Sequence, residues 1–104
     1  MIALPDTLCD LNGELLPLSQ AKVSVLDRGF IFGDGVYEAI PIYGRRLFRF
    51  DDHMARLSRN LDKLRIPAPM GRDAWLARAR RLIAEQVADD QFLYLQVTRG
   101  VAMR

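Results

Sequence analysis

The sequence predicts an α+β domain, a largely antiparallel sheet with two helices on one face. Two observations carry this. Strand-like runs and helical stretches segregate along the chain instead of alternating, and the early strands are joined by two-residue turn signals. The length and composition agree: 104 residues, 50% hydrophobic and 27% charged, suit one globular domain.

Residues 8–11 and 14–18 flank Asn12-Gly13. Both turn residues tolerate positive φ, so a type I′ hairpin is expected, with Pro17 confining the second strand to an edge or end. The stretch Asp27-Arg28-Gly29-Phe30-Ile31-Phe32-Gly33-Asp34-Gly35 holds three glycines and two aromatics and reads as a loop with special backbone demands. Residues 36–43 alternate as a strand: Val36, Glu38, Ile40 and Ile42 share one face, and Tyr37, Ala39, Pro41 and Tyr43 the other. Pro41 has no N–H, so it belongs at a bulge or against an unpaired edge. Gly44-Arg45 fits a type II′ turn into a return strand over 47–50.

Asp51 or Asp52 then caps a helix whose apolar stripe is Met54, Leu57, Leu61 and Leu64, and Pro67 and Pro69 end it. A second helix starts at Asp73, with Trp75, Leu76, Ala79, Leu82, Ile83 and Val87 inward. Asp89-Asp90 ends it awkwardly, because two acids meet the negative end of the helix dipole. Residues 92–98 are apolar at nearly every position and read as a central strand covered on both faces.

Fifteen basic and thirteen acidic residues leave a net charge of +2, too mild to demand a nucleic-acid partner. No apolar run approaches the ~20 residues of a membrane span. The start, from Met1, has no basic region followed by an apolar run, so no signal peptide is expected. Cys9 is the one cysteine, which excludes an internal disulfide and fits a reducing cytoplasm.

His53 is the one histidine, so a histidine-rich metal site is excluded and a structural hydrogen bond near a helix start is expected. The glycines at 29, 33 and 35 match neither G-x-G-x-x-G nor a phosphate loop. Arg56 and Arg59 lie off the leucine stripe. They form either a solvated face or an anion site, since guanidinium forks fit phosphate and carboxylate. Arg78, Arg80 and Arg81 read as solvated surface.

The segment from Asp27 to Glu38, quoted above and continued by Val36-Tyr37-Glu38, resembles the signature of the class IV pyridoxal-phosphate aminotransferases, the family of fold type IV. His53-Met54-Ala55-Arg56-Leu57 fits its H-x-x-R-L helix start. Arg99-Gly100-Val101-Ala102-Met103-Arg104 resembles the R-G-x-x-x-R stretch of the D-amino acid branch. The resemblance implies a transaminase moving an amino group between a D-amino acid and a 2-oxo acid, with pyridoxal 5'-phosphate as cofactor. Arg56 would bind the cofactor phosphate. Tyr37 would help hold the substrate carboxylate, Ala39 would line the side-chain pocket, and Arg104 would reach the carboxylate from the neighbouring subunit of a homodimer. Branched-chain aminotransferase and aminodeoxychorismate lyase are alternatives in the same family. An anion- or nucleic-acid-binding module is the alternative outside it.

The family's Schiff-base lysine has no match in Lys22 or Lys63, and the glutamate that pairs with the pyridine nitrogen has none either. The sequence therefore reads as a single N-terminal small domain over 1–104, with the lysine expected beyond Arg104 in a larger domain. Met103 stands where the family often has proline, which loosens the backbone before Arg104.

Overall fold

The computed structural model describes residues 6–103. Strands β1 (Leu8–Leu11) and β2 (Glu14–Pro17) form the expected hairpin. Asn12 at φ 54° and Gly13 at φ 91° supply the two positive φ angles of its turn. The hairpin is a separate two-stranded sheet; the other sheet is three-stranded, with β3 (Gly35–Tyr43) between β4 (Arg46–Leu47) and β5 (Gln91–Thr98), and both are antiparallel. Arg78 reaches Asp10 at 3.5 Å and ties the hairpin to the second long helix, so that arginine is not simple solvated surface.

The segment expected as a loop contains a short helix, α1 (Arg28–Phe32). Asp27 caps it by accepting the Gly29 N–H at 2.8 Å, and Gly33 closes it in the left-handed conformation at φ 65°. Aspartate and glycine were visible as breakers; together they are the two caps of one helical turn.

Strand β3 (Gly35–Tyr43) is the centre of the second sheet, and its faces are those the alternation predicts. Val36, Glu38, Ile40 and Ile42 are buried, while Tyr37 and Tyr43 are exposed. The Pro41 carbonyl accepts from Phe48 N–H at 2.8 Å, so the side where Pro41 lacks a donor is the side where the next strand has just ended. That strand, β4, covers only Arg46–Leu47, not 47–50. The turn before it has positive φ at both Gly44 (54°) and Arg45 (63°), so it is type I′ in character and not II′.

Helix α2 (Phe50–Leu64) begins earlier than Asp51 or Asp52. Its N-cap is Arg49 at φ 54°, with no side-chain cap; the two aspartates lie in the first turn, where their charge suits the dipole. Phe50, Met54, Leu57 and Leu61 are buried, whereas Leu64 is exposed at the last turn. The helix stops at Arg65 in the left-handed region, ahead of both prolines.

Helix α3 (Arg72–Ala84) starts after Gly71, one residue before Asp73. Ala79 and Ile83 are buried, while Val87 lies beyond the helix and is 97% exposed. The helix ends at Ala84, so the expectation that Asp89-Asp90 meets its negative end is corrected: the two acids lie beyond it. The Arg45 guanidinium donates to the carbonyls of Ile83 (2.8 Å), Gln86 (2.8 Å) and Ala88 (3.1 Å), which adds a second positive charge to that of Arg81 at the helix C-terminus. Asp90 in turn accepts the Gly44 N–H at 2.9 Å.

Strand β5 (Gln91–Thr98) pairs with β3 along its length and, among the described residues, lies at the sheet's edge, so the expectation of a central strand covered on both faces is corrected. Alternation decides its sides: Leu95 and Val97 are buried on the helix side, while Phe92 and Tyr94 are 67% and 55% exposed. The core joins β3 and β5 to α2 through Val36, Ile40, Met54, Leu57, Leu61 and Val97, and α3 adds Trp75 and Leu76 to it. Both long helices thus cover one face, as expected. No helix among the described residues is long and apolar enough to cross a membrane.

Candidate active site

Two of the residues that the resemblance assigns to the site, Tyr37 and Ala39, flank Glu38 on β3. Tyr37 and Ala39 look out from the face opposite the helices. Glu38, between them, looks the other way and is 2% exposed, the one buried charged residue among those described.

His53 and Arg56 are three apart on α2, so they project from the same side of the helix toward Glu38. Arg56 grips the carboxylate with a two-pronged fork: Nε donates to Oε2 at 2.9 Å and Nη2 to Oε1 at 2.8 Å. His53 Nδ1 lies 2.7 Å from Oε1. An ionised carboxylate only accepts, so Nδ1 carries the proton that is shared. This is the structural hydrogen bond expected of His53.

Burial pushes the Glu38 carboxyl up, but the hydrogen bonds from Arg56 and His53, and then their charges, outweigh it and leave it below the ordinary glutamate range. The same carboxylate raises Arg56 above the usual guanidinium value, first through its hydrogen bonds and then through its charge. Glu38 therefore stays ionised in a setting of Val36, Ile40 and its strand partner Leu95.

Arg56 itself remains 56% exposed along its side chain, and its Nη1 makes no hydrogen bond among the described residues. One edge of the guanidinium is held and the other faces outward. Sequence reasoning singled out Arg56 and missed Glu38. The available signal was a charged residue standing on the apolar face of an alternating strand.

On the outer face, Tyr37 stacks on Tyr94 with ring centroids 5.5 Å apart at 17°. Ala39 is directly opposite Tyr94 in the strand register. The Tyr94 hydroxyl donates to Gln96 Oε1 at 3.0 Å, steadying the pair. Tyr37 and Ala39 are thus brought together on one aromatic wall, with Arg56 on the other side of the strand. Arg104 lies outside the described residues.

The glycine-rich segment acts as a clamp on the end of β5. A Cβ on Gly29 would run into the Thr98 methyl group, and one on Gly35 would meet the Val97 carbonyl oxygen at 2.7 Å. Asp27 accepts from Thr98 Oγ1 at 3.2 Å, and Arg28 N–H donates to the Gly100 carbonyl at 2.8 Å. Arg99 binds Asp34 through Nε at 2.6 Å and donates to the Arg65 carbonyl at 3.2 Å, so it also caps α2. That Arg99 hydrogen bond, aided by the charges of Arg99 and Arg28 against the effect of burial, holds the Asp34 carboxyl below the usual range. The signature therefore docks the segment that leads to position 104 against α1. Cys9 is a half-buried free thiol, and no group of three or more potential metal ligands exists among the described residues.

The family model for amino-transferase class IV matches residues 35–104. A D-alanine aminotransferase of Staphylococcus aureus (strain MSSA476) is 37% identical over 94 residues, which cover 90% of this chain and 33% of that protein. Among solved structures, the branched-chain amino acid aminotransferase of Escherichia coli superposes with a TM-score of 0.82 at 25% identity, over 93% of this chain and 33% of that one. The 4-amino-4-deoxychorismate lyase of Pseudomonas aeruginosa gives a TM-score of 0.67 at 31% identity, over 81% of this chain and 30% of its own length. The chain spans about a third of the length of the relatives it matches. With the greater part of its residues matched, it belongs to the class IV aminotransferases.

Proposed function

We propose that this chain is the N-terminal small domain of a transaminase that exchanges an amino group between a D-alanine-like amino acid and a 2-oxo acid, with pyridoxal 5'-phosphate as cofactor. The observation that carries the D-amino acid assignment is the 37% identity to a D-alanine aminotransferase across 90% of the chain. Three residues support the transaminase part of the reading. Arg56 offers an outward guanidinium edge, held in place from behind, which is the donor geometry a phosphate dianion takes. Tyr37 offers a hydroxyl on an exposed wall, and Ala39 leaves space beside Tyr94 for a substrate side chain.

In this reading Arg56 binds the phosphate, and Tyr37 and Arg104 bind the substrate α-carboxylate, Arg104 from the second subunit of a homodimer. Ala39 lines the side-chain pocket. The cofactor, when bound, supplies the electron sink for bond breaking at the substrate α-carbon. The chain's own residues supply orientation. The cofactor lysine lies in the rest of the protein, beyond residue 104, and the enzyme works in the cytoplasm.

The test is an assay of the full-length protein on D-alanine and on L-leucine, each with and without a 2-oxo acid acceptor. Acceptor-dependent pyruvate from D-alanine is the expected result. Turnover of L-leucine alone would place the protein with the branched-chain enzymes. Activity on neither, with pyruvate released from aminodeoxychorismate, would place it with the lyases.

A further inference from the structure

We propose that Glu38 is a positioning residue for cofactor binding: its buried carboxylate fixes the plane of the Arg56 guanidinium and aims the open edge at the cofactor phosphate. The inference rests on the reading of Arg56 given above and goes one layer beneath it.

An arginine on a helix surface has a long flexible stem, and its fork is directional only if something orients it. Glu38 supplies that orientation. It takes Nε and Nη2 together, which leaves Nη1 and the outer side of Nη2 as the donors facing away from the strand. The carboxylate cannot simply rotate to follow Arg56, because His53 Nδ1 holds Oε1 from a second direction at 2.7 Å. Nor can it swing out, because it is 2% exposed on the central strand of the sheet. The guanidinium is thereby referenced to β3, the strand that carries Tyr37 and Ala39. One backbone segment thus sets the spacing between the phosphate end of the site and the substrate wall.

Stability alone is a poor reason for the arrangement. A buried ion pair is commonly matched or bettered by an apolar side chain of similar volume. Ile40, Leu95 and Val36 around Glu38 would accept one.

The experiment measures binding of pyridoxal 5'-phosphate and of phosphate-free pyridoxal to the full-length apoenzyme, by absorbance and fluorescence titration. Glu38→Gln and Glu38→Met should weaken the phosphorylated ligand about tenfold or more. Pyridoxal affinity should stay within roughly twofold, the error of independent sites. Adding either change to Arg56→Ala should weaken binding no further, since both act through one contact. Equal losses for both ligands, or additive losses with Arg56→Ala, would overturn the proposal. If Arg56→Ala leaves the phosphorylated ligand unaffected, the phosphate assignment of Arg56 fails with it. If Arg56→Ala weakens that ligand and the Glu38 variants do not, the positioning role alone is overturned. Arg56→Lys covers the case in which neither Glu38 variant folds. A single ammonium drawn to Glu38 cannot also present a fork, so its affinity should fall to the alanine level, and wild-type affinity would overturn the proposal.

Discussion

Replacing Gly29 with alanine should destabilise the domain by about 1–2 kcal/mol, and the cost should trace to one methyl group. The added Cβ would fall well inside contact distance of Thr98 Cγ2 and 3.0 Å from both Thr98 Cβ and Asp27 Oδ1. Carbon contacts are comfortable at about 3.5–4.0 Å, so β5 or α1 must shift. Overpacking of this kind costs roughly 1–3 kcal/mol, and alanine's better helix propensity returns at most about 1 kcal/mol in so short a helix. Thr98→Ser removes the offending methyl but keeps the oxygen that donates to Asp27 and accepts from Gly100 N–H. Alone it should cost about 0.8 kcal/mol, the value of one buried methylene. In the double variant most of the Gly29→Ala penalty should vanish. Urea unfolding followed by the fluorescence of Trp75, the one tryptophan, measures all four proteins. Losses that add to within about 0.5 kcal/mol would refute the argument that close approach to Thr98 is why position 29 is glycine.

Mixed with pyridoxal 5'-phosphate, the 104-residue chain should show only free-aldehyde absorbance and no transaminase activity; a borohydride-reducible adduct at one defined lysine would contradict this. In the full-length enzyme, Arg104→Leu should lower kcat/KM for D-alanine roughly 10- to 150-fold and do far less to the corresponding amine without a carboxylate, as side-by-side kinetics would reveal. Arg45→Gly keeps the positive φ of the turn but strips the cap from α3, and should cost about 1 kcal/mol in the same urea assay. The Glu38 carboxyl is lowered on folding, so its ion pairs contribute fully above the unfolded glutamate value of about 4.3 and fade as pH falls through the lower folded value. The urea midpoint should therefore drop below about pH 4, and drop less steeply in Glu38→Gln.

What the sequence revealed follows the range of each physical cause. Local rules worked where one residue pair decides the geometry. Asn12-Gly13 made a type I′ turn, and the strict alternation at 36–43 placed every side chain on its observed face. They failed where a distant partner decides. Asp89-Asp90 looked wrong for a helix end because the helix in fact stops at Ala84, where Arg45, about forty residues away in sequence, takes the carbonyls that follow and arrives only through the β3–β4 turn. Residues 92–98 looked central because apolarity was weighed above alternation, yet Phe92 and Tyr94 face outward with the aromatic wall of β3. Gly44-Arg45 was legible as a turn but not as type I′, because arginine gives no hint of a positive φ that its side-chain hydrogen bonds to the end of α3 hold in place.

The site follows the same logic. Arg56 stood out because it departs from the apolar stripe of its helix; Tyr37 and Ala39 were singled out by the family resemblance, and alternation showed only that they share a strand face. Position 38 carried a signal of equal strength, a carboxylate where Val36, Ile40 and Ile42 demand an apolar residue. An unpaired charge in that position would cost several kcal/mol, so its presence alone requires two or three donors arriving from another element. Only one histidine exists in the chain, and it stands three residues before Arg56, one helical turn away on the same face. The pair His53 and Arg56 is therefore what a buried Glu38 calls for. The motif H-x-x-R on a helix and the acidic residue after the strand tyrosine then form one physical unit. Conservative exchange of one member, such as Arg56→Lys, keeps the charge count and still loses the geometry, because an ammonium cannot hold the carboxylate along one fixed edge and present a second fixed edge outward.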